Sequence, residues 1–456
     1  MSSNRFPLRV AEVALHRHFL PMRIPFRVAG ARIDRIEQIT ARVRVIGPDG
    51  SVAAGLSADS PAPIWFDKGR PQAEVRADLA AALDYAAAIY LAAPPMTAFD
   101  LACEGNAAQE TWRRDQSRRG GQAIPETIAA FGPALLDRAV LDALCKLSGH
   151  GLFDAVRRNL PGVDARLTPG LRGVDLDSWL RNLAPRNSIA VRHTIIGLDG
   201  PRPADDLPFT LAEVIRAYGN RYFKIKMGGD FDHNLALFAE IGAGLTQSRA
   251  ADWAVTLDCN ECFTDADEFA EMTARLARAP ELGAFWDRVL YLEQPVHRRY
   301  WRSQPLKDMG KPVIIDETEG GFDDAAFAFG LGYRGVSAKS VKGFYKALLN
   351  AAQVTLTRPG CFLTAEDMNH PAGLVLQQDI AIALLLGLPH IEKNGHHFIG
   401  PVDRTAPFAP DAAAWPATYH NKGDRVGVRI SGGRVSLGAG VHHAGFMSHA
   451  AGGHGL

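Results

Sequence analysis

Eight short runs rich in apolar and β-branched residues recur between residues 189 and 393, and segments with helical periodicity separate them. Strands and helices that alternate in this way predict a parallel sheet, and eight such strands favour a closed (β/α) barrel. A doubly wound open sheet is the alternative, but it ordinarily carries a glycine-rich turn after its first strand, and none follows Ile195. The predicted strands are IAVRHTI, YFKIKM, WAVTLD, VLYLEQ, PVIID, GVSAKS, CFLTAE and PHIEK. The predicted helices between them span residues 210–218, 233–246, 265–278, 325–331, 343–354 and 374–386.

A different pattern precedes the barrel. Two β-like runs in the first 60 residues, the second interrupted by the turn sequence Gly47-Pro48-Asp49-Gly50, predict an antiparallel meander. Residues 72–101 and 124–147 have helical periodicity, and the polar, glycine-containing residues 103–123 predict a long, poorly ordered loop between them. After about residue 401 the chain is rich in Pro, Gly and His, and we expect this tail to pack back on the first domain.

Composition narrows the class of protein. The 456 residues include 50 Lys and Arg against 50 Asp and Glu, so no net charge attracts nucleic acid or an acidic membrane surface. The five cysteines are odd in number and widely spread, which is atypical of a secreted disulfide framework. The N-terminus lacks the apolar region of a signal peptide, and the apolar stretch 380–388 is far shorter than a spanning helix. We therefore expect a cytoplasmic protein that binds neither nucleic acid nor membrane.

Ionisable residues end five consecutive predicted strands. Successive members of the set are 23 to 35 residues apart from Lys226 onward, close to the repeat of a barrel unit. Because the carboxyl ends of barrel strands form the active site, these side chains are expected to meet at one mouth. Each could instead have an ordinary role, as a solvated strand end or a helix N-cap. The strand-end residues are Lys224, Lys226, Asp258, Glu293, Asp316 and Lys339.

Three converging carboxylates repel one another unless a cation neutralises them, and an all-oxygen set favours Mg²⁺, with Mn²⁺ as an alternative. A carboxylate substrate at such an ion has an acidified α-carbon, and lysines on both sides could transfer its proton. We expect Lys224 and the ion to lower the pKa of Lys226 toward base competence. Lys342 is a rival of Lys339, but it precedes the helix, whereas Lys339 continues the strand. The single CxxC pair, Cys259 and Cys262, is interpreted as packing.

Five motifs in barrel order resemble the enolase superfamily, specifically the muconate-lactonizing-enzyme-like branch of its mandelate racemase/muconate lactonizing enzyme family. They are KIKMG (224–228), TLDCNE (256–261), LEQP (292–295), IDET (315–318) and SAKSVKG (337–343). The resemblance covers nearly the whole chain and implies a modified TIM barrel, (β/α)7β, with an α+β N-terminal capping domain completed by the C-terminal tail. The expected divisions are a cap at 1–160, a catalytic barrel at 161–400 and a C-terminal segment at 401–456. The family is often oligomeric, so we expect a homo-oligomer.

The resemblance also implies a role for each strand-end residue. The implied Mg²⁺ ligands are Asp258, Glu293 and Asp316. The implied acid/base catalysts are Lys226 and Lys339, which Lys224 assists electrostatically. Asn260 and Glu317 are expected to orient the ligands or ordered waters.

Two cap loops, at about residues 20–31 and 58–68, enclose the substrate in this family and are expected to select it. A histidine beyond the seventh strand, His370, could also face the site. The candidate substrate contacts are Arg23, Phe26, Trp65, Thr194, Glu366, Asp367 and Lys393.

The expected activity is Mg²⁺-dependent abstraction of the α-proton of a small carboxylate substrate by a racemase or epimerase that acts on an amino-acid derivative or dipeptide. Cycloisomerisation and β-elimination remain alternatives, as does a barrel that binds metal and carboxylate without turnover. Lys339 on the sixth strand argues against the mandelate-racemase-like branch. Family dipeptide epimerases carry paired aspartates near the eighth strand, and PHIEKNGHH has no such pair. A zinc hydrolase would require histidine-rich ligation, which these strand ends do not offer.

Overall fold

The computed structural model describes residues 6–28, 31–196, 202–248, 252–406 and 409–449, and it leaves the side chains of residues 26–28 and 31 undescribed. An N-terminal antiparallel sheet with helices precedes a parallel barrel, and the remaining chain packs against both. None of the helices in the described ranges is long and apolar enough to cross a membrane.

The N-terminal sheet is a three-stranded antiparallel meander, as the sequence predicts. Strands β1 (Arg9–Val28), β2 (Ala31–Ile46) and β3 (Val52–Asp59) pair in sequence order. The turn between β2 and β3 closes with a hydrogen bond from the Gly50 amide to the Gly47 carbonyl at 3.1 Å. Gly55 lets β3 approach a helix closely, because a Cβ there would lie 1.9 Å from the Ala139 carbonyl oxygen.

Six helices follow this sheet, and one of them overturns the predicted loop at 103–123. Helix α3 is long and polar, and it begins with a capping box between Thr97 and Asp100 and ends at Gly121, whose φ is +66°. An ion pair one turn apart, Glu110 with Arg114 at 2.6 Å, supports its exposed face. The helices are α1 (Pro63–Phe66), α2 (Gln72–Ala92), α3 (Ala98–Gly120), α4 (Glu126–Leu147), α5 (Leu152–Arg157) and α6 (Leu176–Arg181).

All eight predicted barrel strands are present, and the fold prediction is confirmed. Each strand pairs in parallel with its sequence neighbour, and the last strand pairs with the first, so the barrel is closed. The strands are β4 (Ile189–Ile195), β5 (Tyr222–Lys226), β6 (Ala254–Asp258), β7 (Val289–Glu293), β8 (Val313–Ile315), β9 (Gly335–Ala338), β10 (Phe362–Glu366) and β11 (His390–Glu392).

Helices cover the outside of the barrel, close to the predicted ranges. The connection between β7 and β8, described throughout residues 294–312, carries a 3-10 turn at Trp301–Ser303 in place of an α-helix. A short helix follows β11. These helices are α7 (Leu211–Tyr218), α8 (Phe231–Gln247), α9 (Ala266–Arg278), α10 (Asp324–Gly330), α11 (Phe344–Leu356), α12 (Leu374–Leu385) and α13 (Gly395–Phe398).

The C-terminal segment contacts both preceding parts. Strands β12 (Val402–Asp403), β13 (Tyr419–Lys422) and β14 (Arg425–Val428) form a small antiparallel sheet, while β15 (Arg434–Val435) pairs antiparallel with β4 of the barrel. Farther along, the Phe446 amide and the Ser448 hydroxyl donate hydrogen bonds to Asp142 of α4. The tail therefore joins the N-terminal sheet and helices to the barrel. The division of the chain into domains at residues 160 and 400 remains a proposal.

Candidate active site

The charged residues predicted at strand ends do meet at one mouth of the barrel. In the strand register, Lys226 lies beside Asp258, and Asp258 lies beside Glu293. Asp316 and Lys339 directly follow β8 and β9. The three carboxylates are buried, because the strands that carry them pack tightly on both faces. Five neighbouring strands thus gather acids and lysines that are far apart in sequence.

Lys224 lies deeper in the barrel, surrounded by acids. Its Nζ is 2.8 to 2.9 Å from carboxylate oxygens of Asp258, Glu293, Glu366 and Glu392. Burial alone would lower the pKa of Lys224, but these four carboxylates raise it well above the usual range. The ammonium is therefore a fixed positive charge beneath the mouth.

Lys226 is more accessible, with 43% of its side chain exposed, and its Nζ lies 2.6 Å from Asp258 Oδ2. Burial of the ammonium favours a lower pKa, as does Lys224, but Asp258 outweighs both and the pKa of Lys226 is raised. The lowered pKa expected of Lys226 depends also on a bound ion, so it remains a prediction for the metal-loaded site.

Lys339 lies on the other side of the acids. Its Nζ is 2.7 Å from Asp316 Oδ2 and 3.0 Å from Glu366 Oε2, and the Trp65 ring lies 4.8 Å away. Lys342 Nζ lies 3.1 Å from the other oxygen of Asp316, Oδ1, and 2.9 Å from Glu319 Oε2. Of these two lysines, Lys339 lies beside Trp65, and the preference for Lys339 as a catalyst remains a prediction.

The acids fit a divalent cation. Carboxylate oxygens of Glu293, Asp316 and Glu366 lie within 4.8 Å of one another. Glu293 Oε2 is buried and accepts no hydrogen bond within the described part of the chain. Burial, with Asp258 and Glu366 nearby, raises the pKa of Glu293 well above its usual range, so a bound cation would stabilise its charged form. An all-oxygen donor set of this kind suits Mg²⁺.

Asn260 bonds to Asp258 and to Glu317. The backbone N–H of Asn260 donates to Asp258 Oδ1 at 2.9 Å, and the side-chain amide of Asn260 donates to Glu317 Oε1 at 2.9 Å. Asn260 and Glu261 have φ of +42° and +63°, so the chain bends sharply directly after Asp258. Burial, reinforced by Asp316 and Asp258, raises the pKa of Glu317 to about 8.

Gln294 fixes the turn that carries Asp316. Its Oε1 accepts hydrogen bonds from the Asp316 amide at 2.8 Å and from the Thr318 hydroxyl at 2.9 Å. Its own φ is +39°, directly after Glu293. The LEQP motif therefore supplies a carboxylate and also the amide that links the ends of β7 and β8.

The predicted loop at 58–68 reaches the barrel mouth. The indole N–H of Trp65 donates to Asp316 Oδ2 at 3.0 Å. The guanidinium of Arg298 donates to the Trp65 carbonyl at 3.1 Å, to the Phe66 carbonyl and to both carboxylate oxygens of Glu261. Lys68 Nζ donates to the Asn260 carbonyl at 2.7 Å. Sequence reasoning missed Arg298, because no strand or motif residue marks its position.

Most other predicted substrate contacts bond elsewhere. Arg23 donates to Asp205 at 2.6 Å and to the His397 carbonyl at 2.9 Å, so it ties β1 to a barrel loop. The side chain of Phe26 lies outside the described residues. Trp65, by contrast, contacts Asp316 and Lys339.

The candidates at the ends of strands seven, eight and one have charged or polar partners among the described residues. Asp367 and Lys393 form an ion pair at 2.5 Å. Thr194 donates to Glu392. Glu366 alone of these candidates contacts the predicted catalytic lysines.

His370 does not contact these lysines. Its Nε2 lies 3.1 Å from Asp59 Oδ1, and its Nδ1 is bonded to Asp379. Asp59 also accepts from Arg138 at 2.5 Å and from the Ser340 hydroxyl at 3.2 Å. His370 therefore belongs to a buried junction between β3, α4 and the barrel.

The barrel interior contains two more charged residues that had no assigned role. Arg192 is fully buried and lies 3.4 Å from Glu366. Glu392 accepts from Lys224 at 2.8 Å. The sequence signal for Glu392 was available, because it also ends a predicted strand.

No family model matches this sequence, and no curated protein matches it. Solved structures, however, match it over nearly the whole length. A dipeptide epimerase from Enterococcus faecalis V583, complexed with Mg and the dipeptide L-Leu-L-Tyr, has a TM-score of 0.60 at 16% identity, covering 96% of this chain and 99% of that chain. An enolase from Bradyrhizobium, complexed with magnesium and mandelic acid, has a TM-score of 0.58 at 18% identity over 97% and 98% of the chains.

A mandelate racemase/muconate lactonizing protein from Herpetosiphon aurantiacus has a TM-score of 0.55 at 18% identity over 94% and 98% of the chains. The chain shares the fold of these three proteins. The likeness that the five motifs indicated is therefore confirmed at the level of this fold. Proteins of this fold include epimerases and racemases, so the reaction of this chain must be argued from its own residues.

Proposed function

We propose that the chain is an enolase-superfamily enzyme that abstracts the α-proton of a small carboxylate substrate, acting as a racemase or epimerase. The observation that carries the proposal is the placement of Lys226 and Lys339 on either side of a buried set of acids. Asp258, Glu293 and Asp316 would hold Mg²⁺, which stabilises the negative charge that develops on the substrate carboxylate when the proton leaves.

The lysines would divide the proton transfer. Lys226 removes the α-proton on one side in its neutral form, so its ion pair with Asp258 must loosen first. Lys339 returns a proton on the opposite side, which inverts the carbon. Lys224 stays charged among its four carboxylates and holds the acids in place. Asn260 and Glu317 orient Asp258. The loop at 58–68, which carries Trp65, closes over the substrate.

A one-base reaction, such as cycloisomerisation or β-elimination, is the second candidate. The asymmetry of the lysines favours it, because Lys226 is 43% exposed while Lys339 is 5% exposed and paired with two carboxylates. In that reaction Lys226 transfers the proton, and Lys339 contributes charge.

We further propose that the protein is cytoplasmic, because its cysteines are few and widely spread, and that it forms a homo-oligomer, because the family it resembles is often oligomeric.

Solvent exchange tests the proposal directly. The wild-type protein is incubated in D₂O with Mg²⁺ and a library of α-amino acids, N-acyl amino acids, dipeptides and hydroxy acids, and α-deuterium is measured by mass spectrometry. We expect Lys226→Ala to lower exchange at least about 100-fold, because a positioned general base contributes 10²–10⁴-fold. Inversion of the product, followed by chiral separation, distinguishes two-base from one-base reactions.

The matched control is Lys307→Ala, which removes an exposed lysine paired with Asp267 at 2.8 Å and should leave exchange unchanged. Chelation with EDTA should abolish exchange, and added Mg²⁺ should restore it. If both Lys226→Ala and Lys339→Ala exchange at the wild-type rate, the proposed function is overturned.

A further inference from the structure

Glu366, at the end of β10, is the middle member of a row of alternating charges. Its Oε2 lies 2.9 Å from Lys224 Nζ and 3.0 Å from Lys339 Nζ. Lys224 also contacts Glu293 at 2.9 Å, and Lys339 also contacts Asp316 at 2.7 Å. Glu366 is thus linked through one ammonium to each of two proposed Mg²⁺ ligands.

The three acids of this row are Glu293, Asp316 and Glu366, the acids that lie closest together at the barrel mouth. Their oxygens lie within 4.8 Å of one another, and Glu293 Oε2, fully buried, has no hydrogen-bond partner among the described residues. Two oxygens on opposite sides of a Mg²⁺ ion are about 4.2 Å apart, since each bond is about 2.1 Å. The three oxygens are therefore close to the separation that a shared ion requires.

Asp258 stands apart from this group. Its Oδ2 is shared by Lys226 at 2.6 Å and Lys224 at 2.9 Å, and its Oδ1 accepts the Asn260 amide. Both of its oxygens are therefore engaged on the side of the acids away from Lys339.

A second close group is formed by Asp367, His370 and Asp379, and in it Asp379 Oδ1 is buried without a hydrogen-bond partner among the described residues. Lys393 lies 2.5 Å from Asp367 Oδ2, and His370 is bonded to Asp379. This group belongs to the junction between β3, α4 and the barrel rather than to the acids between the proposed catalytic lysines, so it carries no metal proposal.

We propose that Glu366 is a fourth carboxylate ligand of the ion, in addition to Asp258, Glu293 and Asp316. This inference rests on the proposed function, because it concerns the same Mg²⁺ site.

Metal affinity tests the assignment without a substrate. Full-length protein is dialysed against EDTA, and Mg²⁺ binding is measured by titration calorimetry, with Mn²⁺ binding measured by electron paramagnetic resonance as a second probe. We expect Glu366→Gln to weaken Mg²⁺ binding at least about tenfold, the lower range for groups that support a metal site. Glu392→Gln is the matched control, because it removes the other carboxylate that contacts Lys224 from the barrel interior.

Glu366→Asp separates a ligand from a counter-ion. It keeps the negative charge beside Lys224 and Lys339, so folding is retained, but it withdraws the oxygen by the length of one methylene group. A ligand role predicts at least tenfold weaker Mg²⁺ binding for this variant and less than a threefold change for Glu392→Gln. Circular dichroism confirms that each variant is folded.

The outcomes are distinguishable. If Glu366→Asp binds Mg²⁺ within threefold of wild type, or if Glu366→Gln matches Glu392→Gln, Glu366 is a counter-ion and the inference is overturned while the proposed function stands. If the wild-type protein binds no Mg²⁺ at millimolar concentration, the inference and the proposed function both fail.

Discussion

Trp65 joins two residues that the proposed reaction uses. Its indole N–H donates to Asp316, and its ring lies beside the Lys339 ammonium, an arrangement that combines a charge-assisted hydrogen bond with a cation–π contact. A cap residue thus takes part in the electrostatics of the barrel mouth. Any movement of the loop would change the surroundings of Lys339.

Replacing this indole tests the contact at the residue scale. Trp65→Phe keeps an aromatic ring beside Lys339 but removes the donor to Asp316, so the free energy of unfolding should fall by about 1 to 2 kcal/mol. Urea denaturation measures the change. Trp179→Phe, at a half-buried tryptophan of α6, is the control. Equal effects of the two substitutions would show that the hydrogen bond contributes nothing.

The strand-end acids and lysines could be located from sequence, because a parallel barrel brings successive strand ends together. The partners of those residues could not, since they depend on which side chains meet across the barrel. Arg298 lies on a connection without a regular pattern, and Glu366 is 142 residues away in sequence from its partner Lys224. The short ion pair between Lys226 and Asp258, which raises the pKa of Lys226, was not visible in the sequence either.

The side chain of Arg298 fixes the loop at 58–68 to the barrel mouth. Arg298 donates to two of its carbonyls and to Glu261, so a single guanidinium couples this loop to the turn after β6. Arg298→Leu should therefore raise amide hydrogen exchange in residues 63–68 by about tenfold or more, because hydrogen bonds with charged groups are worth about 1.5 to 3 kcal/mol.

Mass-spectrometric hydrogen exchange checks this, with Arg299→Leu as the control because its exposed neighbouring side chain makes none of these contacts. Unchanged protection of the loop in Arg298→Leu would mean that Lys68 and Trp65 suffice to hold it.

Among the elements, the barrel strands and the N-terminal meander followed from periodicity, but helix α3 did not. Its surface is polar enough to resemble a loop, while the features that stabilise it are local: a capping box, a left-handed glycine and ion pairs one turn apart. Counting polar residues missed these signals. The helical segment predicted at 72–101 also extends too far, since α2 ends at Ala92 and α3 begins at Ala98.

At the scale of the whole molecule, the junction centred on His370 links the cap to the barrel. Burial alone would lower the pKa of His370, but Asp379 and Asp59 raise it from 6.5 to about 9. Arg138 and Lys393 are the other charged groups of this junction. Three acids, including Asp367, face three cations when His370 is protonated, so the junction is then neutral.

Stability should depend on pH through this histidine. Because its pKa is higher in the folded state, the stabilisation is complete below about pH 6.5 and is lost as the pH rises through about 9. The total loss is up to about 3 kcal/mol. Urea unfolding between pH 7 and 9.5 should show a decline for wild type that is absent in His370→Gln.

His193→Gln is the control, since burial lowers the pKa of His193 to about 4 and the ring stays neutral over this pH range. A decline of equal slope in wild type and His370→Gln would assign the pH dependence to other groups.

The hydrogen bonds from Phe446 and Ser448 to Asp142 have a consequence for the order of folding during synthesis. The two ends of the Phe446 contact are 304 residues apart, so α4 leaves the ribosome well before its partners exist. At about 5 to 20 residues per second, Asp142 waits roughly 15 to 60 s with the Leu56 amide and Lys146 as partners but without those of the tail. The N-terminal sheet and helices, although made first, are therefore completed last.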